Sequence, residues 1–166
     1  MQNSYGRMVL LLFLVLILGA CAGGISQQAR AQITFVGPFS DVLQDQAKYQ
    51  GQTMLWGGKI IETQAKEGVT DIVVLQLELG SSDRPRNDDQ SHGRFLIRSS
   101  RFLDPALYPP ATLITVVGRL QGSENRPIGQ MPYTYPVIDP IEIKKWPTGV
   151  DPSPRFHFGI GIGTHF

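Results

Sequence analysis

The sequence predicts an all-β fold, a small Greek-key barrel with one short helix. The 18 glycines and 12 prolines, with 42% hydrophobic residues, imply short strands separated by turns. No stretch carries a long run of apolar residues at helical spacing. The first strong strand contains an internal Gly57-Gly58, a feature by which strongly coiled barrel strands bend.

The chain begins with a segment that does not belong to this fold. Met8 to Leu18 is an apolar run without charge, with Arg7 just before it. A basic residue, an apolar stretch of this length and small residues after it describe a secretory signal peptide. The run is shorter than the roughly 20 apolar residues that a spanning helix needs. It ends Leu18-Gly19-Ala20-Cys21, with the chain's single cysteine last. That ending resembles the lipobox of bacterial lipoproteins, in which the cysteine is acylated and the chain is cut before it. The resemblance implies that residues 1–20 are a signal peptide, that Cys21 is the lipidation site, and that the chain joins a membrane through N-terminal acyl chains. A lone thiol makes no intramolecular disulfide. Ala22, where an Asp resembles an inner-membrane retention signal, favours the outer membrane.

Removing residues 1–20 takes away one basic residue, Arg7, and leaves 14 basic against 14 acidic side chains. That balance gives no electrostatic footprint for nucleic acid. Residues 21–32 are small and polar and read as a flexible acylated tether. A domain over 33–147 has the length to bury a core without disulfides.

Ile33 to Val36 is a short β-like run stopped by Gly37-Pro38. Phe39 to Gln50 predicts a short helix, with Ser40 as cap and Val42, Leu43 and Ala47 facing inward. Gln52 to Glu62 is the coiled strand; Met54, Trp56 and Ile60 share one face, Leu55 and Ile61 the other. Its Gly57-Gly58 predicts a bulge or sharp coil. A turn at Lys66-Glu67-Gly68 leads to Asp71–Leu79, where Val73, Leu75, Leu77 and Leu79 alternate with polar residues as in a half-buried strand.

Gly80 to Gly93 is a polar loop. Its Asp83, Asp88 and Asp89 lack the spacing and glycine of a calcium loop, so a solvated loop is expected. Arg94 to Ser99 alternates again. Asp104-Pro105 predicts an N-cap and first residue of one helical turn within 101–108. Thr112 to Leu120 is the next strand, and Gly122 to Gly129 its turn. Tyr133–Ile138 and Ile141–Trp146 are the last strands, with Asp139-Pro140 as an edge or bend. The order matches an OB-fold-like barrel, five strands with a helix between the third and fourth.

Several short motifs then form a series: Trp56-Gly57-Gly58-Lys59-Ile60, Gly93-Arg94-Phe95, Phe102-Leu103-Asp104-Pro105, Thr115–Gly122 and Pro132–Pro136. Behind a lipobox, the series resembles the Slp family, the starvation-inducible outer-membrane lipoproteins of Gram-negative bacteria. It covers roughly residues 33–147 and implies an outer-membrane location and a stress or stationary-phase association. It implies no catalytic residues.

The residues themselves carry no catalytic pattern. His92 sits in a polar loop, and His157 and His165 have no partner at metal-ligand spacing. There is no Gly-x-Ser-x-Gly elbow and no phosphate-binding glycine pattern. The expectation is a non-enzyme without cofactor or metal, acting through an envelope protein partner. The alternative is a small-ligand or glycan-binding lipoprotein using Trp56, Tyr133 and Tyr135 as an aromatic barrel face. Residues 148–166 read as a Pro/Gly-rich tail. In it Phe156, Phe158, Ile160, Ile162 and Phe166 alternate with glycine and histidine. A mobile tail is expected, with β-augmentation of a partner's sheet as its functional alternative.

Overall fold

A computed structural model describes residues 24–86 and 90–147. The signal peptide, Cys21 and the tail therefore lie outside the described residues, as do Asp88 and Asp89. Five strands close on one another: β1 (Thr53–Lys66), β2 (Val69–Leu77), β3 (Arg94–Ser99), β4 (Leu113–Ile128) and β5 (Met131–Trp146). Their order around the barrel is β1-β2-β3-β5-β4, with β4 returning to β1. All pairings are antiparallel except β3 with β5, joined in parallel at Leu96↔Val137 and Ile97↔Ile138. This is the five-stranded Greek-key topology that the strand pattern predicts.

The barrel is filled by side chains from alternate positions of every strand. Met54, Trp56, Ile60, Ile72, Val74, Phe95, Ile97, Ile114, Val116, Leu120 and Ile138 form one buried cluster. Helix α2 (Phe39–Gln44) adds Phe39 and Val42 to it. On the opposite rim, the 101–111 segment adds Leu103 and Tyr108. It is fixed there because Leu103 N donates to Thr70 Oγ1, at 3.1 Å, and Thr63 Oγ1 donates to Tyr108 O, at 2.8 Å. Asp104 caps its turn, its Oδ1 accepting from Ala106 N at 2.9 Å.

Several local expectations are corrected. Gly57 and Gly58 are not bulged: Gly57 pairs with Leu77 and Thr115, Gly58 with Gln76 and Ile114, in regular register. The irregularity in β1 falls between Ile60 and Glu62. The glycines serve close approach instead. A Cβ on Gly58 would lie 2.3 Å from Leu75 O, and one on Gly57 would lie 2.2 Å from Leu79 Cδ2. β2 is buried on both faces, since Thr70, Ile72, Val74 and Gln76 point into the barrel while Val73 and Leu77 are covered from outside.

The β4–β5 hairpin is far longer than expected. β4 does not stop at Leu120; it bends at an irregularity between Leu120 and Gly122 and runs to Ile128, reversing at Gly129. Gly122 adopts φ +146°, a conformation that favours glycine. β5 continues through Asp139-Pro140, where Pro140 faces Gly118 at a second irregularity and so interrupts no regular ladder. Ile33–Val36 is not a strand, though Thr34 N and Phe35 N both donate to Thr53 O. α2 starts after Pro38 without a side-chain cap, so Ser40 lies inside it. It ends at Gln44, and the 3-10 turn Ala47–Tyr49 leaves Ala47 exposed.

The largest correction falls on residues 24–32 of the expected tether; residues 21–23 lie outside the described residues. From residue 24 the chain is docked on the barrel, with helix α1 (Gln27–Arg30) capped by Ser26. Ile25 and Ala29 are buried against Val117. The polar composition hid this because within 24–32 only Ile25, just before the cap, and Ala29, in the helix, make the buried contact.

Candidate functional site

The three aromatic residues expected to form a ligand face do not share one. Trp56 lies inside the barrel, 4% exposed, edge-on to Phe39 at 4.8 Å and Phe95 at 5.1 Å between ring centres. Tyr133 and Tyr135 lie outside it, in contact with each other at 4.7 Å. Tyr135 is itself buried, and the Tyr133 hydroxyl accepts from Arg94 N at 2.7 Å and donates to Arg94 O at 3.3 Å. The strand wall separates the tryptophan from the tyrosines, and core packing uses both.

The tyrosines belong to a second layer. In OB-folds the exposed face of strands 2 and 3 and the loop between strands 4 and 5 take the ligand. Here that face carries three directly opposed pairs: Asp71 with Arg98, Val73 with Leu96 and Leu75 with Arg94. The long β4–β5 hairpin folds back over it. Tyr135 and Val137 pack on Val73 and Leu96, with Ile61, Ile128 and Tyr133 at the edge.

Beside this apolar seal sits an ion cluster. Asp71, whose side chain is 1% exposed, accepts from Arg98 Nε at 2.9 Å and Nη2 at 3.1 Å, from Arg126 Nη2 at 2.5 Å and from Lys66 Nζ at 3.2 Å. Glu124 pairs with both arginines, Arg98 at 2.7 Å. Burial alone would raise the Asp71 pKa. The hydrogen bonds from Arg98, Arg126 and Lys66 outweigh it and hold the carboxyl far below the usual carboxylate range. Burial also acts to raise Glu124, and hydrogen bonds from Arg126 and Arg98 bring it down. Hydrogen bonding to Asp71 keeps Arg98 charged. Every charge faces an opposite one, so the cluster locks the hairpin to the sheet and presents no free base or acid. The alternating pattern gave no signal for it, because Asp71 reads as one more polar residue of a half-buried strand beside Gln76 and Glu78.

A groove of about 490 Å³ opens where β3 and β5 part, lined by Arg98, Ser100, Gly122, Ser123 and Asp139 among others. A smaller cleft of about 280 Å³ lies beside Trp56, Gln76, Glu78 and His92. His92 Nε2 is 3.4 Å from Glu78 Oε1, both half-exposed. Among the described residues no group of three His, Cys, Asp or Glu side chains could hold a metal ion.

The remaining polar constellation fixes the N-terminal segment. Ser26 donates to Glu142 twice, from its N at 3.0 Å and its Oγ at 2.5 Å. Arg30 pairs with Asp83, a residue at φ +62° whose carbonyl accepts from Thr115 Oγ1 at 2.5 Å. Trp146 Nε1 donates to the same Thr115 Oγ1, at 2.9 Å. Ser26, Arg30 and Glu142 did not stand out in the sequence, because their partners are 116 and 53 positions away.

A family described as "Outer membrane lipoprotein Slp family" matches residues 18–159. The chain is 34% identical over 98 residues to the uncharacterized lipoprotein YeaY of Escherichia coli (strain K12), covering 59% of this chain and 50% of that protein. It is 38% identical over 96 residues to an uncharacterized protein of Haemophilus influenzae, covering 57% and 52%. Outer membrane protein Slp of Escherichia coli (strain K12) is 30% identical over 139 residues, 82% of this chain and 73% of that protein. The chain spans about half the length of the first two of these relatives. No solved structure matches.

Proposed function

The chain belongs to the Slp family of outer membrane lipoproteins, and on that footing we propose that it is a non-enzymatic barrel module anchored through acylated Cys21. The barrel hangs on the periplasmic side and acts in envelope stress or stationary phase by binding another envelope protein. The observation that carries this reading is the covered OB face. The surface on which related barrels take ligands is occupied here by the chain's own hairpin, sealed by Tyr135 and Val137 and by the Asp71 cluster. An aromatic glycan platform loses its support, since Trp56 and Tyr135 are both buried.

Affinity capture of the acylated protein from cell envelopes tests the proposal. One envelope protein should be enriched with the wild type, and a panel of glycans should leave the NMR signals of Tyr133 and Tyr135 in place. Glycan-dependent shifts centred on those two residues, with no protein enriched, would favour the ligand-binding alternative instead.

A further inference from the structure

If Cys21 carries the acyl chains, its distance from the barrel is fixed by very little chain. Three residue-to-residue steps lead from it to Gly24, and an extended chain reaches at most about 3.6 Å per step, so about 11 Å in all. Gly24 is the first described residue and sits against Asp83, its Cβ position 3.1 Å from Oδ2. A continuous set of contacts leads from there across the outer wall of β4 and β5. Asp83 O is bonded to Thr115 and Thr115 to Trp146. The Arg84 guanidinium lies 6.0 Å and the Lys144 ammonium 5.8 Å from the centre of the Trp146 ring. Lys145, the next residue, lies on the other face of β5, opposite the core residue Ile114, and turns to the adjoining rim, where it donates to Leu107 O at 2.9 Å and sits over the Tyr108 ring; Leu107 is 60% exposed.

The charges of this wall are unequal in a specific way. Two of its carboxylates, Asp83 and Glu142, are engaged by the N-terminal segment, through Arg30 and Ser26, and a third on β5, Asp139, stands opposite Arg119. Among the described residues no carboxylate pairs with Arg84, Lys144 or Lys145. Two cations on the wall, Arg84 and Lys144, and a third at the rim beside an exposed leucine thus lie on the side of the barrel where the N-terminal segment is docked.

Resting on the acylation of Cys21, we infer that this wall and its adjoining rim lie on the phospholipid leaflet, with Arg84, Lys144 and Lys145 on anionic headgroup phosphates and Leu107 at the apolar boundary. Such contacts act with the acyl chains as a second membrane signal. They fix which face of the barrel remains open to a partner.

The test uses the full acylated chain in vesicles of phosphatidylethanolamine and phosphatidylglycerol, with amine acetylation of each lysine read by mass spectrometry. Lys144 and Lys145 should react several-fold more slowly than in detergent, while exposed Lys48 keeps its rate. In the Arg84→Gln variant the protection of both should weaken about fivefold, the equivalent of about 1 kcal/mol per basic residue at an anionic surface. Equal rates at all three lysines, with the protein acylated and floating with the vesicles, would overturn the inference and leave the anchor standing. Protection found only in whole envelopes would overturn it too, because the cover would then be a protein. An unacylated Cys21 by intact mass would remove the inference together with the reading it rests on.

Discussion

Asp71 and the proposed lipidation site, Cys21, would carry opposite kinds of work. Asp71 is buried and holds Arg98, Arg126 and Lys66. Removing one partner of a buried ion pair leaves the others uncompensated, at about 3–5 kcal/mol. Arg98 and Arg126 are partly exposed and regain water, so Asp71→Ala should cost about 3 kcal/mol by urea denaturation. The pH dependence has a defined sign. The folded pKa lies below the unfolded value of about 3.9, so the stabilisation is present above that pH and is lost as pH falls below it. The stability gap between wild type and Asp71→Asn should therefore narrow below about pH 4; a gap unchanged there would place the stabilisation in another group. Cys21→Ser should abolish membrane retention and leave the barrel folded, because the proposed anchor is covalent lipid on that thiol. Fractionation decides it: a variant still held by the membrane as tightly as wild type is anchored elsewhere.

β1 shows what an element's sequence can and cannot reveal. The shared face of Met54, Trp56 and Ile60 was legible from period-two alternation, and all three lie in the barrel core. The role of Gly57-Gly58 was legible as a requirement for glycine but not as to its cause, which is a neighbour from β2 and not a backbone angle. The two positions therefore separate. Gly58→Ala drives a Cβ into the Leu75 backbone, whereas Gly57→Ala meets side chains alone, Leu79 and the Pro85 ring. Gly58→Ala should cost about 3 kcal/mol, the upper range for overpacking, and Gly57→Ala about 1 kcal/mol or less. Equal midpoints in denaturant would show that β2 yields at both. The length of the β4–β5 hairpin was not legible, because Gly122, Pro127 and Gly129 all read as turn residues. Only Gly129 makes the reversal, while Gly122 makes the bend that turns the arm over the sheet. Nothing local distinguishes them; the distant partners Asp71 and Leu96 do.

At the scale of the whole molecule, strand order and closure were readable, while the two additions to the bare barrel were not. The hairpin layer and the docked N-terminal segment both depend on contacts between residues far apart in the chain. Together they turn an OB-like barrel that could have offered a ligand face at the end of a loose tether into a sealed body with its N-terminal segment docked from residue 24 onward. Ile25→Ala should accordingly lower stability by about 2 kcal/mol, the low end for a buried isoleucine, and the melting temperature by roughly 4–8 °C. The central claim is that the segment next to the anchor is part of the barrel. Hydrogen exchange on the acylated full chain measures it directly, at the amides of Arg30 and Ala31, which donate to Ser26 O and Gln27 O at 3.0 Å. Protection within reach of that of the β4 amides of Val116 and Val117 is the result expected of a docked segment. Exchange at the rate of an unprotected chain, with the barrel amides still protected, would contradict it and restore a free tether between membrane and domain.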